Sequence, residues 1–221
     1  MTEIDGPRIM PEDGAPTALV VFLHGYGADG NDLIDIGQSW APYLPGVVFV
    51  SPHAPQPCGM APMGRQWFPL TLRDDEERWD GVLDARPSLD AFLDAELARH
   101  GLTGDRLVLV GFSQGTMMAL HVGLRRPVPP AAIVGYSGYL AGADHLHEAT
   151  GKPAITLVHG THDQVLPVRS SESAAKALEA AGIPVRLHLR PGLGHGIDHA
   201  GLVLGLEAIG GALDIALPRS P

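Results

Sequence analysis

The stretch from Arg106 to Leu124 constrains the fold more than any other part of the chain. It begins with the apolar, valine-rich run Leu107 to Val110, which is typical of a buried parallel strand. Gly111-Phe-Ser-Gln-Gly115 follows as a sharp turn, and the residues from Thr116 onward favour a helix that covers the sheet. On such a turn Ser113 is held at the carboxyl end of the sheet, and the flanking glycines leave room for its hydroxyl group. The unit predicts an α/β fold.

The five-residue G-x-S-x-G pattern is weak evidence when taken alone. The chain has 28 glycines among 221 residues, so the pattern could be an ordinary Gly-Ser turn between a strand and a helix. The strong strand before it and the helix after it are the context that a nucleophile elbow requires. We therefore interpret Ser113 as a nucleophile, with the backbone N–H of Gln114 at the helix N-terminus facing a developing oxyanion.

Composition limits the class of protein. With 221 residues, 45% of them hydrophobic, the chain can bury the core of one full-sized domain. It has no run of eighteen apolar residues and begins with a polar, acidic segment, from which we expect neither a spanning helix nor a signal peptide, and a cytoplasmic location. A net charge of −10 disfavours binding to nucleic acid or to anionic membranes.

The rest of the chain alternates between strand and helix patterns, which predicts a doubly wound, mostly parallel sheet in a single domain over residues 17–221. Residues 1–16 form an N-terminal segment that contributes at most a short edge strand at 8–10. Strands are expected at 17–23, 47–50, 107–110, 131–136, 153–159 and 185–189. Helices are expected at 31–40, capped by Asn31 or Asp32, and at 88–100, 116–124, 169–181 and 197–213.

Residues 52–79 are rich in proline and glycine, which forbids a long regular element, and yet too apolar for a solvated loop. We interpret this segment as a flap over the mouth of the site, with a packed structural loop as the alternative. Its charged part at 73–78 is expected to be a solvated tip. Apolar side chains of the segment are Met60, Met63, Trp67, Phe68, Leu70 and Leu72. Of these, Met63, Trp67, Phe68 and Leu70, together with Leu166, are the candidate substrate pocket.

Two more candidates for the chemistry follow strands, and sites in parallel sheets form where the strands end. Asp163 comes soon after the strand that ends at His159, and His195 follows the strand that ends at Leu189. The order Ser113, Asp163, His195 is the chain order of triads in α/β-hydrolases. His195 would accept the serine proton as general base, and Asp163 would fix the imidazole tautomer and stabilise the imidazolium.

The glycine-rich loop His24-Gly-Tyr-Gly-Ala-Asp-Gly30 directly follows another buried strand. Backbone N–H groups in such a loop can approach a reacting atom without obstruction, and a second oxyanion donor is expected here. Each backbone N–H donor of this kind lowers the activation free energy by roughly 3 kcal/mol. The alternatives are a loop of ordinary turn glycines or a phosphate cradle, although the dinucleotide and P-loop patterns are both missing. His24 is a rival base, and Asp144 is a rival acid.

Histidine pairs raise the alternative of a metal site. His159 and His162 lie next to Asp163 in sequence, and His195 and His199 are four residues apart. The metalloprotease pattern requires a glutamate directly after the first histidine, and glycine stands there instead. We therefore expect neither a metal nor a cofactor.

Several motifs together resemble the phospholipase/carboxylesterase family, which includes the acyl-protein thioesterases and has the α/β-hydrolase fold. They are Val20-Val-Phe-Leu-His-Gly-Tyr-Gly-Ala-Asp29, Ser51-Pro-His-Ala-Pro55, Trp67-Phe68, Gly111-Phe-Ser-Gln-Gly115, His159-Gly-Thr-His-Asp-Gln-Val-Leu-Pro167 and Gly192-Leu-Gly-His195. The resemblance spans about residues 17–212. It implies a triad of Ser113, Asp163 and His195, an oxyanion hole formed by the backbone N–H groups of Tyr26 and Gln114, and a homodimer.

The resulting expectation is a serine carboxylesterase that hydrolyses small to medium acyl esters through an acyl-serine intermediate. A lysophospholipase or an acyl-protein thioesterase is the first alternative, because the same site chemistry cleaves their substrates. A non-catalytic binding protein with the α/β-hydrolase fold is the second alternative. It differs from the others in requiring that Ser113 does not react.

Overall fold

A computed structural model describes residues 4–59, 61–71 and 74–218 of the chain. Met60 and Leu72 of the predicted flap lie outside the described residues. The strands are β1 (Arg8–Ile9), β2 (Ala18–Leu23), β3 (Val47–Val50), β4 (Gln56–Pro57), β5 (Arg65–Gln66), β6 (Leu107–Phe112), β7 (Ala132–Tyr136), β8 (Ala154–Gly160) and β9 (Val185–Arg190). The α-helices are α1 (Asn31–Trp40), α2 (Asp75–His100), α3 (Gln114–Gly123), α4 (Arg169–Ala180) and α5 (His199–Ala212).

Seven strands form one sheet in the order β1-β3-β2-β6-β7-β8-β9, and β4 pairs with β5 in a separate antiparallel hairpin. Within the seven-stranded sheet, β1 runs antiparallel to β3, and the other neighbours are parallel. This confirms the predicted doubly wound, mostly parallel sheet. The central strand β6 lies between β2 and β7, so Ser113 emerges at the middle of the sheet edge.

Both faces of the sheet are covered, which explains why its strands are apolar throughout. Alternate residues of β2 belong to opposite layers: Leu19 and Val21 pack with helices α2, α3 and α4, while Val20 and Phe22 pack with α1 and α5. Because successive side chains of a strand point to opposite faces, one continuous apolar run supplies both layers. None of the described helices is both long and apolar enough to cross a membrane.

Helix α1 has the predicted bounds but not the predicted cap. Gly30 occupies the cap position and makes no side-chain cap hydrogen bond. The carboxylate of Asp29 instead accepts a hydrogen bond from the Asn31 N–H at 2.8 Å. A carboxylate near this terminus also complements the helix dipole.

The expectation of a solvated tip followed by a helix from residue 88 is wrong, because α2 begins at Asp75. Asp74 caps the helix by accepting from the Glu77 N–H at 2.7 Å, and the acidic first turn complements the helix dipole. Pro87 lies inside the helix. Its missing N–H removes one backbone hydrogen bond, a cost that the packing of the buried residues around it on α2 outweighs.

Candidate active site

The turn between β6 and α3 holds Ser113 in a strained backbone conformation, with φ of 54° and ψ of −115°. Positive φ is uncommon outside glycine and costs energy that the surrounding structure must supply. Here the Ser113 N–H donates to the Tyr136 carbonyl at 2.9 Å. A Cβ on Gly115 would overlap the Leu23 carbonyl oxygen, and one on Gly111 would lie 2.5 Å from the Gly115 backbone. Both flanking glycines are therefore sterically required.

His195 and Asp163 are brought together from the loops that follow β9 and β8. The distance from His195 Nδ1 to Asp163 Oδ2 is 2.7 Å. The other carboxylate oxygen accepts from the backbone N–H groups of Val165 and Leu166, both at 2.9 Å. Burial alone would raise the pKa of Asp163, but the hydrogen bonds from His195, Leu166 and Val165 outweigh it and hold that pKa below its ordinary value. The carboxylate therefore stays ionised beside the imidazole.

Ser113 and His195 line the same cavity, whose volume is about 470 Å³. The ring of Phe112 lies 4.9 Å from the His195 ring, measured between centroids, and restricts the position of the imidazole. A serine hydroxyl, an imidazole and an ionised carboxylate thus meet at one edge of the sheet. Such a set can carry out proton transfer to and from a nucleophile.

Two backbone N–H groups are available beside Ser113. Among the described residues, neither the N–H of Tyr26 nor that of Gln114 has a hydrogen-bond partner. The loop containing Tyr26 passes close to the elbow, because a Cβ on Gly25 would lie 3.4 Å from the Ser113 Cβ. Free donors near the reacting atom, one of them at a helix N-terminus, are what a developing oxyanion needs.

His24 is fully buried and braces this loop. Its Nε2 accepts from the Ala54 N–H at 3.0 Å, and its Nδ1 lies 2.8 Å from the Gly25 carbonyl oxygen, to which it donates. Burial lowers the pKa of His24 to about 4. Because both ring nitrogens are already engaged, His24 has no nitrogen available to deprotonate Ser113.

The side chain of Gln114 joins the elbow to the segment at 67–68. Its Oε1 accepts from the Trp67 N–H at 3.0 Å, and its Nε2 donates to the Phe68 carbonyl at 2.8 Å. Gln114 is completely buried. The sequence predicts a role only for its backbone N–H, whereas in the structure its amide side chain also links the elbow to the predicted flap.

We expect Gln114→Met to lower the free energy of unfolding by about 2–4 kcal/mol, because it leaves the Trp67 N–H and the Phe68 carbonyl buried without partners. Urea denaturation measures this change. Gln38→Met is the matched control, since Gln38 is exposed on α1 and its replacement should have little effect. Equal midpoints for the two variants would contradict the proposed role of this side chain.

The cavity is mainly apolar. It is lined by Gly25, Tyr26, Ala28, Leu70, Thr71, Phe112, Ser113, Met117, Val165, Leu166 and His195. Leu70 and Leu166 therefore lie where the sequence analysis expected pocket residues. Met63, Trp67 and Phe68, the other three expected pocket residues, do not line this cavity.

Each of these three side chains has a physical reason for its position. Trp67 is completely buried and its indole N–H donates to the His24 carbonyl at 3.0 Å. Phe68 packs directly on the backbone of α2, where a Cβ on Gly81 would overlap its ring. Met63 is 90% exposed. Sequence hydrophobicity marked these residues as apolar but could not distinguish a core contact from a ligand contact.

The cavity also contains side chains that the sequence analysis missed, namely Phe112, Met117 and Val165. Helical spacing could have indicated one of them. Met117 is four residues after Ser113 and therefore lies on the same side of α3, beneath the nucleophile. Phe112 directly precedes the serine, and Val165 belongs to the same turn as Leu166.

The rival acid Asp144 and one histidine of each pair, His162 and His199, are exposed, whereas the other two, His159 and His195, both contact Asp163. Asp144 lies exposed on a 3₁₀ turn, Ala143–Glu148, and His199 is exposed at the start of α5. His162 is exposed, with its Nδ1 3.1 Å from Thr161 Oγ1. Within the described ranges, no three His, Cys, Asp or Glu side chains come together as a set that could hold a metal ion.

For a reaction in which Ser113 is the nucleophile and His195 its base, we expect Asp163→Asn to lower kcat by about 10⁴-fold, because the imidazole loses its orienting carboxylate. A carboxyl group with a depressed pKa stabilises the fold above its unfolded pKa of about 3.9, and this contribution is lost as pH falls through the lower folded value. The stability gap between wild type and variant should therefore be largest near neutral pH and close below about pH 4. Unfolding curves at several pH values measure this stability gap. Asp144→Asn is the control, which we expect to match wild type in both kcat and stability.

Known proteins are similar to this chain. The phospholipase/carboxylesterase family model matches residues 4–205. Acyl-protein thioesterase 1 of Schizosaccharomyces pombe is 34% identical over 173 residues, covering 74% of this chain and 76% of that protein. The esterase YpfH of Escherichia coli is 29% identical over 199 residues, covering 90% of this chain and 84% of that protein. The crystal structure of esterase PE8 is 45% identical with a TM-score of 0.90, covering 93% of this chain and 97% of that one.

The family match covers most of the chain and includes the elbow, the loop after β2 and the Asp163 and His195 loops. The esterase structure at 45% identity has the same arrangement of sheet and helices over almost its whole length. The chain belongs to the phospholipase/carboxylesterase family, has the α/β-hydrolase fold and is a serine hydrolase of the carboxylic ester hydrolase class.

Proposed function

We propose that the protein is a serine carboxylesterase that hydrolyses small to medium acyl esters through an acyl intermediate on Ser113. The observation that carries this proposal is the 2.7 Å contact between His195 and Asp163 at the cavity that Ser113 also lines. Beside it are two backbone N–H groups that have no hydrogen-bond partner in the described part of the chain. This arrangement supplies a nucleophile, a base with a fixed tautomer and an oxyanion site.

Each chemical step has a residue to perform it. His195 removes the hydroxyl proton as Ser113 attacks the ester carbonyl, and the N–H groups of Tyr26 and Gln114 bind the oxyanion. The imidazolium then returns the proton to the departing alcohol, which leaves an acyl-serine. A water molecule, deprotonated by the same imidazole, attacks the acyl carbon and releases the carboxylic acid while Ser113 regains its proton.

The volume and lining of the cavity favour an uncharged acyl group of limited size. Its volume of about 470 Å³ lies in the lower half of the range for small-molecule sites, roughly 300–1,000 Å³. None of the described residues that line it is Asp, Glu, Lys or Arg. Leu70, Met117 and Leu166 provide apolar contacts, so the wall favours hydrocarbon over an anionic headgroup.

Thioester hydrolysis is the second candidate. The relative from Schizosaccharomyces pombe is named an acyl-protein thioesterase, and the same nucleophile, base and oxyanion donors cleave a thioester by the same two steps. A thiolate is a better leaving group than an alkoxide, so thioester cleavage depends less on proton transfer from the protonated histidine. A cytoplasmic location and homodimerisation stay predictions.

The proposal is tested with p-nitrophenyl esters from acetate to palmitate and with an acyl thioester of matched chain length, each assayed with wild type and Ser113→Ala. We expect hydrolysis that depends on Ser113, with the highest kcat/KM at short to medium chains. A maximum at palmitate would favour a lipid-accepting groove and contradict the proposed size range. A preference for the thioester would favour the second candidate, and no turnover with any substrate would favour a binding protein.

A further inference from the structure

A second histidine lies behind the carboxylate of Asp163. His159, near the end of β8, is completely buried, and its Nε2 is 3.1 Å from Asp163 Oδ2 and 2.9 Å from the Leu166 carbonyl oxygen. Oδ2 is the same oxygen that His195 Nδ1 contacts at 2.7 Å. One carboxylate oxygen is therefore shared by two imidazoles, only one of which borders the cavity.

The proton on the His159 ring is placed by Ser171 of α4. The Ser171 Oγ lies 2.6 Å from His159 Nδ1, whereas the Gly138 carbonyl, its other acceptor, is 3.4 Å away. The hydroxyl therefore donates to Nδ1, which puts the ring proton on Nε2, where the Leu166 carbonyl accepts it and Asp163 Oδ2 lies 3.1 Å away. Ser171 is itself buried, with 2% of its surface exposed, so water does not compete for this contact.

His159 adds an electrostatic contact to the hydrogen bonds of the carboxylate. Two backbone N–H groups donate to Oδ1 and His195 donates to Oδ2, while His159 Nε2 lies 3.1 Å from Oδ2. His159 also holds the Leu166 carbonyl, and Leu166 supplies one of those N–H groups. The turn that carries Asp163 is thus fixed from inside the protein as well as from the cavity.

We propose that His159, with its tautomer set by Ser171, is a positioning residue that fixes the Asp163 carboxylate and moderates the charge that this carboxylate presents to His195. The inference rests on the proposed function, because it assigns His159 a part in a reaction that needs Asp163 and His195. His159 is not one of the residues that line the cavity, so the proposed role is exerted through Asp163.

The charge effect has a definite sign. An N–H beside Oδ2 draws negative charge away from the oxygen that faces His195. Without it, the carboxylate stabilises the imidazolium form of His195 more strongly, and more alkaline solution is needed to free the base. Of the residues that the structure describes, the titratable groups that face the carboxylate are His159 and His195, while His162 of the same turn is exposed and contacts Thr161 instead.

The test compares His159→Met, which removes the N–H, with His159→Gln, whose amide nitrogen can replace Nε2. We expect His159→Met to lower kcat by about 10- to 100-fold with KM within about twofold, and to move the acidic limb of the kcat/KM profile up by about half a pH unit to one unit. His159→Gln should retain kcat within about threefold of wild type. His162→Met is the matched control and should behave as wild type.

Ser171→Ala is the second variant, which makes a smaller change to the core. It removes the hydroxyl that keeps the ring proton on Nε2, and we expect a loss of about three- to tenfold in kcat and an upward shift of the acidic limb. The inference is overturned if His159→Met and Ser171→Ala both fold, keep the wild-type kcat and show an unshifted pH profile. That result would leave the proposed function intact. Wild-type protein without Ser113-dependent hydrolysis would overturn both.

Discussion

Ser113→Ala is expected to lower kcat/KM for p-nitrophenyl butyrate by about 10⁴- to 10⁶-fold, with the fold unchanged. The hydroxyl is the only group of the site that forms a bond to the acyl carbon in the proposed mechanism. The oxyanion donors and the cavity remain in the variant, so a small residual rate above the uncatalysed reaction should persist.

Steady-state hydrolysis measures this loss, and thermal unfolding checks the fold. Ser173→Ala is the matched control, because Ser173 is exposed on α4 and the same atom is removed far from the cavity. Retention of more than about a tenth of the wild-type rate by Ser113→Ala would show that another group is the nucleophile.

Gly115→Ala is expected to lower the free energy of unfolding by more than about 3 kcal/mol and to abolish activity. The new Cβ would overlap the Leu23 carbonyl oxygen and lie 2.8 Å from the His24 carbonyl oxygen. Both carbonyls belong to backbone at the end of β2, which cannot move without displacing the loop that contains Tyr26. The elbow and the oxyanion loop should be disrupted together.

Gly211→Ala is the control for this prediction. Gly211 is helical and exposed on α5, and a Cβ there meets nothing within 4 Å. The same substitution should therefore stabilise the protein by up to about 1 kcal/mol, through the better helix propensity of alanine. Chemical denaturation of both variants gives the comparison, and stabilisation by both would contradict the close approach of α3 to β2.

Much of the fold could be predicted because the strands carry their own signal. The apolar runs at Ala18–Leu23, Val47–Val50 and Leu107–Phe112 are buried on both faces, so their sequences contain almost no polar residues. The start of α2 could not be predicted in the same way. Its first turn is acidic and exposed, and the expected helix began only at residue 88, directly after Pro87, where the chain is already helical.

The candidate site was predictable in its backbone positions and much less so in its side-chain contacts. Chain order and strand ends indicated Ser113, Asp163 and His195, since these are topological constraints of a parallel sheet. Whether Trp67 faces a ligand or the core depends on packing between distant segments, which no local pattern contains. The link between His159 and Asp163 has the same character, because Ser171 reaches it from a helix that follows later in the chain.

Labelling with a fluorophosphonate, with the adduct located by peptide mass spectrometry, tests directly whether Ser113 is an activated nucleophile. Such a reagent reacts with an activated serine and leaves a stable phosphonyl ester on its oxygen. We expect one label per chain, on the peptide that contains Ser113, and little labelling of His195→Ala under the same conditions. A label on another residue, or no label on a protein that hydrolyses the esters, would contradict this expectation.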